Sequence, residues 1–329
     1  MKALPGLGIG HAGDAALKSG VTVFLPDAPA VAAVHVAGGA PASRETDLLR
    51  PGNLVERVDA IVLSGGSAFG LAAADGVIEW LAARGRGFAV GGVRVPIVPA
   101  ASLFDLANGG DKSRLAPGAA RSTYHALGHA ACEAAGPDCA VGSVGAGAGA
   151  TIADLKGGFG AAEAVLSDGA RVAAFAAVNA VGRVTLGGTP HFRAAPYERD
   201  AEFGGLGLPS PLPRDADAVV VKQAAEPRAS TTLAVVATDC ALTRAELRRL
   251  AISAHDGIAL AVFPAHTPFD GDTVFALATG ARGALDGPRA LMALSAAATT
   301  TLARAIALAV YAAEPAPGDR LPAWRQKYA

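Results

Sequence analysis

Between residues 142 and 151 the chain reads Gly142-Ser143-Val144-Gly145-Ala146-Gly147-Ala148-Gly149-Ala150-Thr151. No ordinary helix or strand accommodates glycine at that density. The same habit runs through the whole chain, which holds 41 glycines and draws much of its 51% hydrophobic content from alanine. Elements made of such small residues must pack with their backbones close together. The segment lacks the Gly-Lys-Ser/Thr ending of a phosphate-binding loop, so nucleotide binding is not expected. It packs against another backbone or lines a site.

The 329 residues suffice to bury a core, and only 17% of them are charged, which excludes general disorder. So few charges imply that further apolar surface is hidden by assembly, as a homo-oligomer. A net charge of -1 gives no electrostatic reason for a nucleic-acid or anionic-membrane partner. The N-terminus lacks the pattern of a secretion signal, and no window of about 18 apolar residues suggests a membrane span. Cys132, Cys139 and Cys240 are odd in number and lack CxxC spacing, which fits a reducing, cytoplasmic location better than a disulfide or zinc framework.

Short β-branched runs alternate with glycine turns and helical patterns. Strands are expected at 21–25, 31–37, 60–63 and 95–98, with a helix over 72–83 and another over 124–135. Gly8-Ile9-Gly10-His11-Ala12-Gly13 matches GxGxxG by letter without the strand-turn-helix context, and reads as a glycine-rich turn. Ser64-Gly65-Gly66-Ser67-Ala68-Phe69-Gly70 resembles a nucleophile elbow, but Phe69 occupies a required glycine position, so Ser67 reads as a helix cap. His125 and His129 stand at i, i+4 with no third ligand in view, and no metal or cofactor is expected.

The second half is more pointed. Runs at 161–166 and 172–178 flank Ser167-Asp168-Gly169 as a hairpin, closed by the polar Asn179. A proline-rich connector follows over 189–228, with one possible strand at 218–221. It ends at Ser230-Thr231-Thr232, where hydroxyls meet the apolar strand 233–236. A loop-to-strand join fixes a reactive group well, although a Ser/Thr turn is the ordinary reading. Thr243-Arg244-Ala245-Glu246 is a capping box opening a helix whose apolar face runs from Leu247 to Ile258. Asp270-Gly271-Asp272 precedes a strand at 274–278; such a triplet is usually a turn, but in an extended segment both carboxylates face one way. A long alanine-rich helix spans 288–312.

Taken together, these residues resemble the self-cleaving hydrolases that include L-aminopeptidase/D-esterase, β-peptidyl aminopeptidases and 6-aminohexanoate (nylon) oligomer hydrolases. The likeness runs from Arg44-Glu45-Thr46-Asp47 through Ile61 to Gly70, Gly145-Ala146-Gly147, Lys156-Gly157-Gly158, Thr231 to Asp239 and Phe269 to Thr279. It implies an α/β, four-layer αββα sandwich of the N-terminal-nucleophile type, with the whole chain 1–329 as one domain. It further implies cleavage between Ser230 and Thr231 into a large subunit, 1–230, and a small subunit, 231–329, in an oligomer of tetramer size or larger. Thr231 becomes the nucleophile, and Asp270, Asp272, Asn179 and Lys156 match positions lining the site. Asp270-Gly271-Asp272 is similar to the threonine-type branch, where serine-type members carry Ser-Gly-Glu. Ser230 stands where Asn or Gly is common, and no tyrosine occurs around Ser102-Leu103-Phe104-Asp105, where relatives place one. The expected activity is hydrolysis of small peptides or amides. The alternatives are acyl transfer of the ornithine-acetyltransferase type and an uncut structural oligomer.

Overall fold

The computed structural model describes residues 1–222 and 230–329; Pro227, Arg228 and Ala229 of the connector lie outside the described residues. Strands β1 (Leu7–Asp14), β2 (Ser19–Pro26) and β3 (Ala30–Val36) open the chain. The short β4 (Ser43–Arg44) and β5 (Arg57–Val58) follow, then β6 (Ile61–Ser64) and helix α1 (Ala73–Ala82). A hairpin of β7 (Phe88–Val90) and β8 (Val93–Val95) leads to β9 (Ala100–Ser102) and helix α2 (Ala120–Glu133). Next come β10 (Gly158–Val165) and β11 (Arg171–Asn179), then, beyond the connector, β12 (Thr231–Ala241). Helix α3 (Arg244–Ala261), strand β13 (Thr273–Ala284) and helices α4 (Gly287–Tyr311) and α5 (Trp324–Tyr328) complete the fold.

Two sheets stack between two helical layers. One sheet has the order β1-β2-β6-β9-β4 and the other β10-β11-β12-β13-β3-β5. Strand alternation sorts the side chains into three cores. Phe24, Ile61 and Leu63 meet Phe159, Phe175, Val235 and Phe275 between the sheets. Ala174, Ala176, Val236 and Ala276 on the opposite face pack against α3 and α4. Val21, Val23 and Val62 pack against Val77 and Leu81 of α1 and Tyr124 of α2. This is the expected αββα sandwich. At its centre β12 pairs antiparallel with β11 and parallel with β13.

Five sequence expectations need correction. The segment around Gly8 to Gly13 is strand β1, paired antiparallel with β2, and not a turn. Its glycines serve close packing: a Cβ on Gly10 would lie 1.9 Å from the Ala131 carbonyl oxygen of α2. Ser67 does not cap its helix; Gly66 precedes the 3-10 turn, with no side-chain cap, and Ser67 itself has φ +54°. The strand expected at 95–98 ends at Val95, since Pro96 has no N–H for a ladder, and 218–221 is not a strand. Finally, α4 is long and apolar enough to cross a membrane by length and composition, with mean hydropathy 1.5. Its best window is 61% buried, however, and Arg304 on it pairs with Glu202. It is a core helix.

Candidate active site

Thr231 is the first residue of β12 and stands opposite Asn179, the last residue of β11. Leu233, Val235 and Ala237 face the space between the sheets, while Ala234 and Val236 face the helices. Strand alternation therefore puts the Thr231 hydroxyl on the inter-sheet side and Thr232 on the other. The Thr231 hydroxyl donates to the carbonyl oxygen of Ser230 at 2.5 Å. The Gly271 N–H donates to that same oxygen at 3.0 Å. Glycine is required at 271, because a Cβ there would lie 2.7 Å from Thr231 Oγ1.

The acids on either side of Gly271 are each 1% exposed. Asp270 accepts from the Val181 N–H at 3.3 Å and from the N–H and hydroxyl of Thr267 at 2.9 and 2.7 Å. Burial, and then the charge of Asp272, raise its pKa above the usual carboxylate value. Asp272 accepts from the Thr232 N–H at 2.7 Å through one oxygen. Its other oxygen takes the backbone N–H and the Nδ1 of His266 at 3.1 and 2.8 Å. In the continuous chain Asp272 thus grips the backbone N–H next to Thr231 and Asp270 grips Val181 and Thr267, while the Thr231 hydroxyl itself turns to Ser230.

Asn179 donates from Nδ2 to the Phe104 carbonyl at 2.9 Å, and its Oδ1 accepts from the Thr151 N–H at 3.0 Å. The glycine-dense stretch 142–151 thereby reaches the site at its last residue. The tyrosine-free segment around Phe104 supplies a backbone carbonyl at the same place. Lys156 lies apart from the Thr231 hydrogen bonds: its ammonium is 2.7 Å from Asp319. It also lines a cavity of about 370 Å³ with His11, Asp14 and Lys18, to whose wall Thr231 does not contribute. His125 pairs with Glu79 on the outer helical layer at 2.8 Å. Among the described residues no group of three or more His, Cys, Asp or Glu side chains is arranged to hold a metal ion.

The sequence profile of peptidase family S58 matches residues 3–321. The chain belongs to peptidase family S58. An uncharacterized aminopeptidase of Mycobacterium bovis is 46% identical over 330 residues, covering 94% of this chain and 90% of its relative. The 6-aminohexanoate-oligomer endohydrolase of Paenarthrobacter ureafaciens is 31% identical over 292 residues, covering 84% and 73%. Among solved structures, the L-aminopeptidase D-Ala-esterase/amidase of Ochrobactrum anthropi, described as a variant of the Ntn hydrolase fold, aligns with a TM-score of 0.66. It is 21% identical, over 96% of this chain and 87% of that one, and attests the fold. As an S58 peptidase, the protein is a hydrolase of amide bonds.

Two residues of this S58 peptidase escaped the sequence reading. Lys222 donates to Asn179 Oδ1 at 3.0 Å and to the Asn179 carbonyl at 3.3 Å. Burial lowers its pKa to about 7, against the opposing pull of the Asp270 and Asp105 charges. A single lysine at the end of an irregular, proline-rich connector carries no local signal. His266 sits between Pro264 and Pro268, and nothing in the local sequence marks its link to Asp272.

Proposed function

We propose that this S58 peptidase matures by cutting itself between Ser230 and Thr231, and that Thr231 is then the nucleophile for amide hydrolysis. The observation that carries this reading is the Thr231 hydroxyl lying 2.5 Å from the oxygen of the carbonyl it would attack. The Gly271 N–H on that oxygen is placed to stabilise the negative charge that attack creates.

In the first step Thr231 Oγ bonds to the Ser230 carbonyl carbon, the peptide C–N bond breaks, and the proton passes to the departing nitrogen. Water then hydrolyses the ester, leaving a carboxylate on Ser230 and a free amine on Thr231. An α-amine has a pKa near ~8, so it accepts the hydroxyl proton around neutral pH from within the same residue. In turnover, Oγ attacks the substrate amide, the leaving amine takes that proton, and water releases the acyl group. Asp270, with its raised pKa, is suited to hold a proton during turnover. Asn179, opposite Thr231, is the side-chain candidate for an oxyanion donor, and Lys222 supplies a nearby ammonium. Lys156, tied to Asp319, enters that role only by leaving its partner.

Substrates are short peptides or linear amides, 6-aminohexanoate oligomers among them, as the name of one relative suggests. The cleaved units assemble through exposed apolar surface such as the β7–β8 hairpin, where Phe88, Val90, Val93 and Val95 are all exposed. A reducing, cytoplasmic setting accords with the buried, free Cys132, Cys139 and Cys240.

Intact mass and N-terminal sequencing of the purified protein test the cut. Pieces of 230 and 99 residues, the smaller beginning at Thr231, are expected. A new N-terminus at Ser230 or Thr232 defeats the assignment, and so does a Thr231→Ala variant that still cleaves.

A further inference from the structure

We propose that His266 is a positioning residue of this site, an imidazolium that clamps Asp272 and thereby holds the backbone on which Thr231 is mounted. The proposal rests on the reading of Thr231 as the nucleophile. Nothing in the family match or in the sequence motifs assigns a role to this histidine.

Both ring nitrogens of His266 face acceptors. Nδ1 is 2.8 Å from Asp272 Oδ2, and Nε2 is 3.3 Å from the carbonyl oxygen of His255 in α3. A neutral imidazole carries one N–H and satisfies only one of them; the imidazolium satisfies both. His266 also has φ +55°, in the left-handed region that residues other than glycine seldom enter. That backbone turn brings its own N–H to the same Asp272 oxygen at 3.1 Å. Backbone and ring together make a two-point grip on Oδ2, leaving Oδ1 to hold the Thr232 N–H at 2.7 Å. The Thr231–Thr232 peptide is therefore fixed through Asp272 to His266, and a misplacement of about 1 Å in a reacting group typically slows a reaction about 100-fold.

The charged and titratable surroundings favour this state. Burial pulls the His266 pKa down, but the hydrogen bond to Asp272, its charge and that of Asp270 together raise it above 6.5. From α3, the His255 ring stands 5.1 Å away, with its pKa lowered to about 4, chiefly by burial. His35 on β3 packs beyond it, its pKa lowered by burial, Arg248 and His266. A protonated clamp contributes fully below pH 6.5 and is lost as the pH rises through the higher folded value.

Self-cleavage reads this clamp without interference from the Thr231 amine, which the precursor lacks. In the parent, the first-order rate of precursor loss should fall on the alkaline side as His266 deprotonates. His266→Asn tolerates the left-handed backbone and can donate a hydrogen bond, but carries no charge. It should cleave about 10- to 100-fold more slowly and lose that alkaline limb. A folded His266→Asn precursor cleaving within about twofold of the parent, with an unchanged pH profile, would overturn the proposal. NMR titration of the imidazole resonances in the intact parent supplies a readout independent of cleavage and of the variant's folding. One histidine should titrate above the ordinary 6.5, and its value should drop in Asp272→Asn. Absence of such a resonance also overturns the clamp. Should Thr231→Ala still cleave, the nucleophile assignment falls while the His266 titration stands, so the two failures are separable.

Discussion

The molecule buries two charged clusters of opposite sign. Beneath Thr231, two acids lie close together, one of them bound to His266, and their oxygens go to backbone N–H groups at Thr232, Val181, His266 and Thr267. At the other, two cations share one acid: Lys18 and Lys156 lie 2.6 and 2.7 Å from Asp319. The first cluster orients the peptide units on which the chemistry is mounted. The second ties the segment before α5 to the body of the protein, helped by the Lys156 N–H on the Pro322 carbonyl at 2.9 Å. Lys156 and Asp272 therefore look alike as buried charged residues at family-matched positions, yet one grips a strand terminus and the other a chain tail.

The largest expected effect separates the clusters by activity. Asp270→Asn and Asp272→Asn should each slow self-cleavage and amide turnover by about 100-fold or more, since Asn keeps the shape and removes the carboxylate. Circular dichroism and elution volume should match the parent. A folded double variant that cleaves itself and an amino-acid p-nitroanilide at the parent rates would place both acids in a mere turn.

Stability should respond in the opposite sense at the second cluster. Asp319→Asn leaves the buried Lys156 and the partly buried Lys18 side by side and should destabilise the fold by about 3 kcal/mol, with the cleavage rate little changed. Burial alone would raise the Asp319 pKa, but hydrogen bonds from Lys156, Lys18 and the Ala316 N–H lower it below 3.8. Its contribution is therefore present above that pH and lost as the pH falls through the lower folded value. Thermal melts between pH 2 and 7 should show this acid-side loss in the parent and not in Asp319→Asn. Lys156→Met should follow Asp319→Asn; a loss of cleavage beyond about 100-fold with an unchanged melting temperature would move Lys156 to the first cluster.

The smallest effect is expected on chelation. Prolonged dialysis against a chelator should leave amide turnover within about twofold, because no family-matched site position has metal-ligand spacing. Loss restored by zinc would direct attention back to His125 and His129.

Most of the layering was legible because alternation and helical spacing are local: the hairpin around Asp168, the Thr243 capping box and β12 stand close to where the residues alone put them. What escaped was set by distant neighbours. Gly10 resembles a turn residue until α2 is known to cross it within 1.9 Å of a Cβ. The pairing of Asn179 with Thr231 needs the β11–β12 register, and the seat of Lys222 needs the path of an irregular connector. Side-chain direction was the least readable feature. Two acids separated by one glycine could be expected on one side, but not that their oxygens would grip backbone amides while the Thr231 hydroxyl turned to Ser230.

The position of β12 has a consequence for what a cut at its first residue would produce. The strand is hydrogen-bonded along one edge to β11, from the larger piece, and along the other to β13, from its own. The break would create a new chain end while every ladder across it stayed closed. The two polypeptides would then be inseparable short of global unfolding, and subunits would not exchange between molecules. Expressed alone, the larger piece would present the bare edge of β11, an invitation to aggregate. Covalent continuity is needed to build this sheet, and dispensable once it is built.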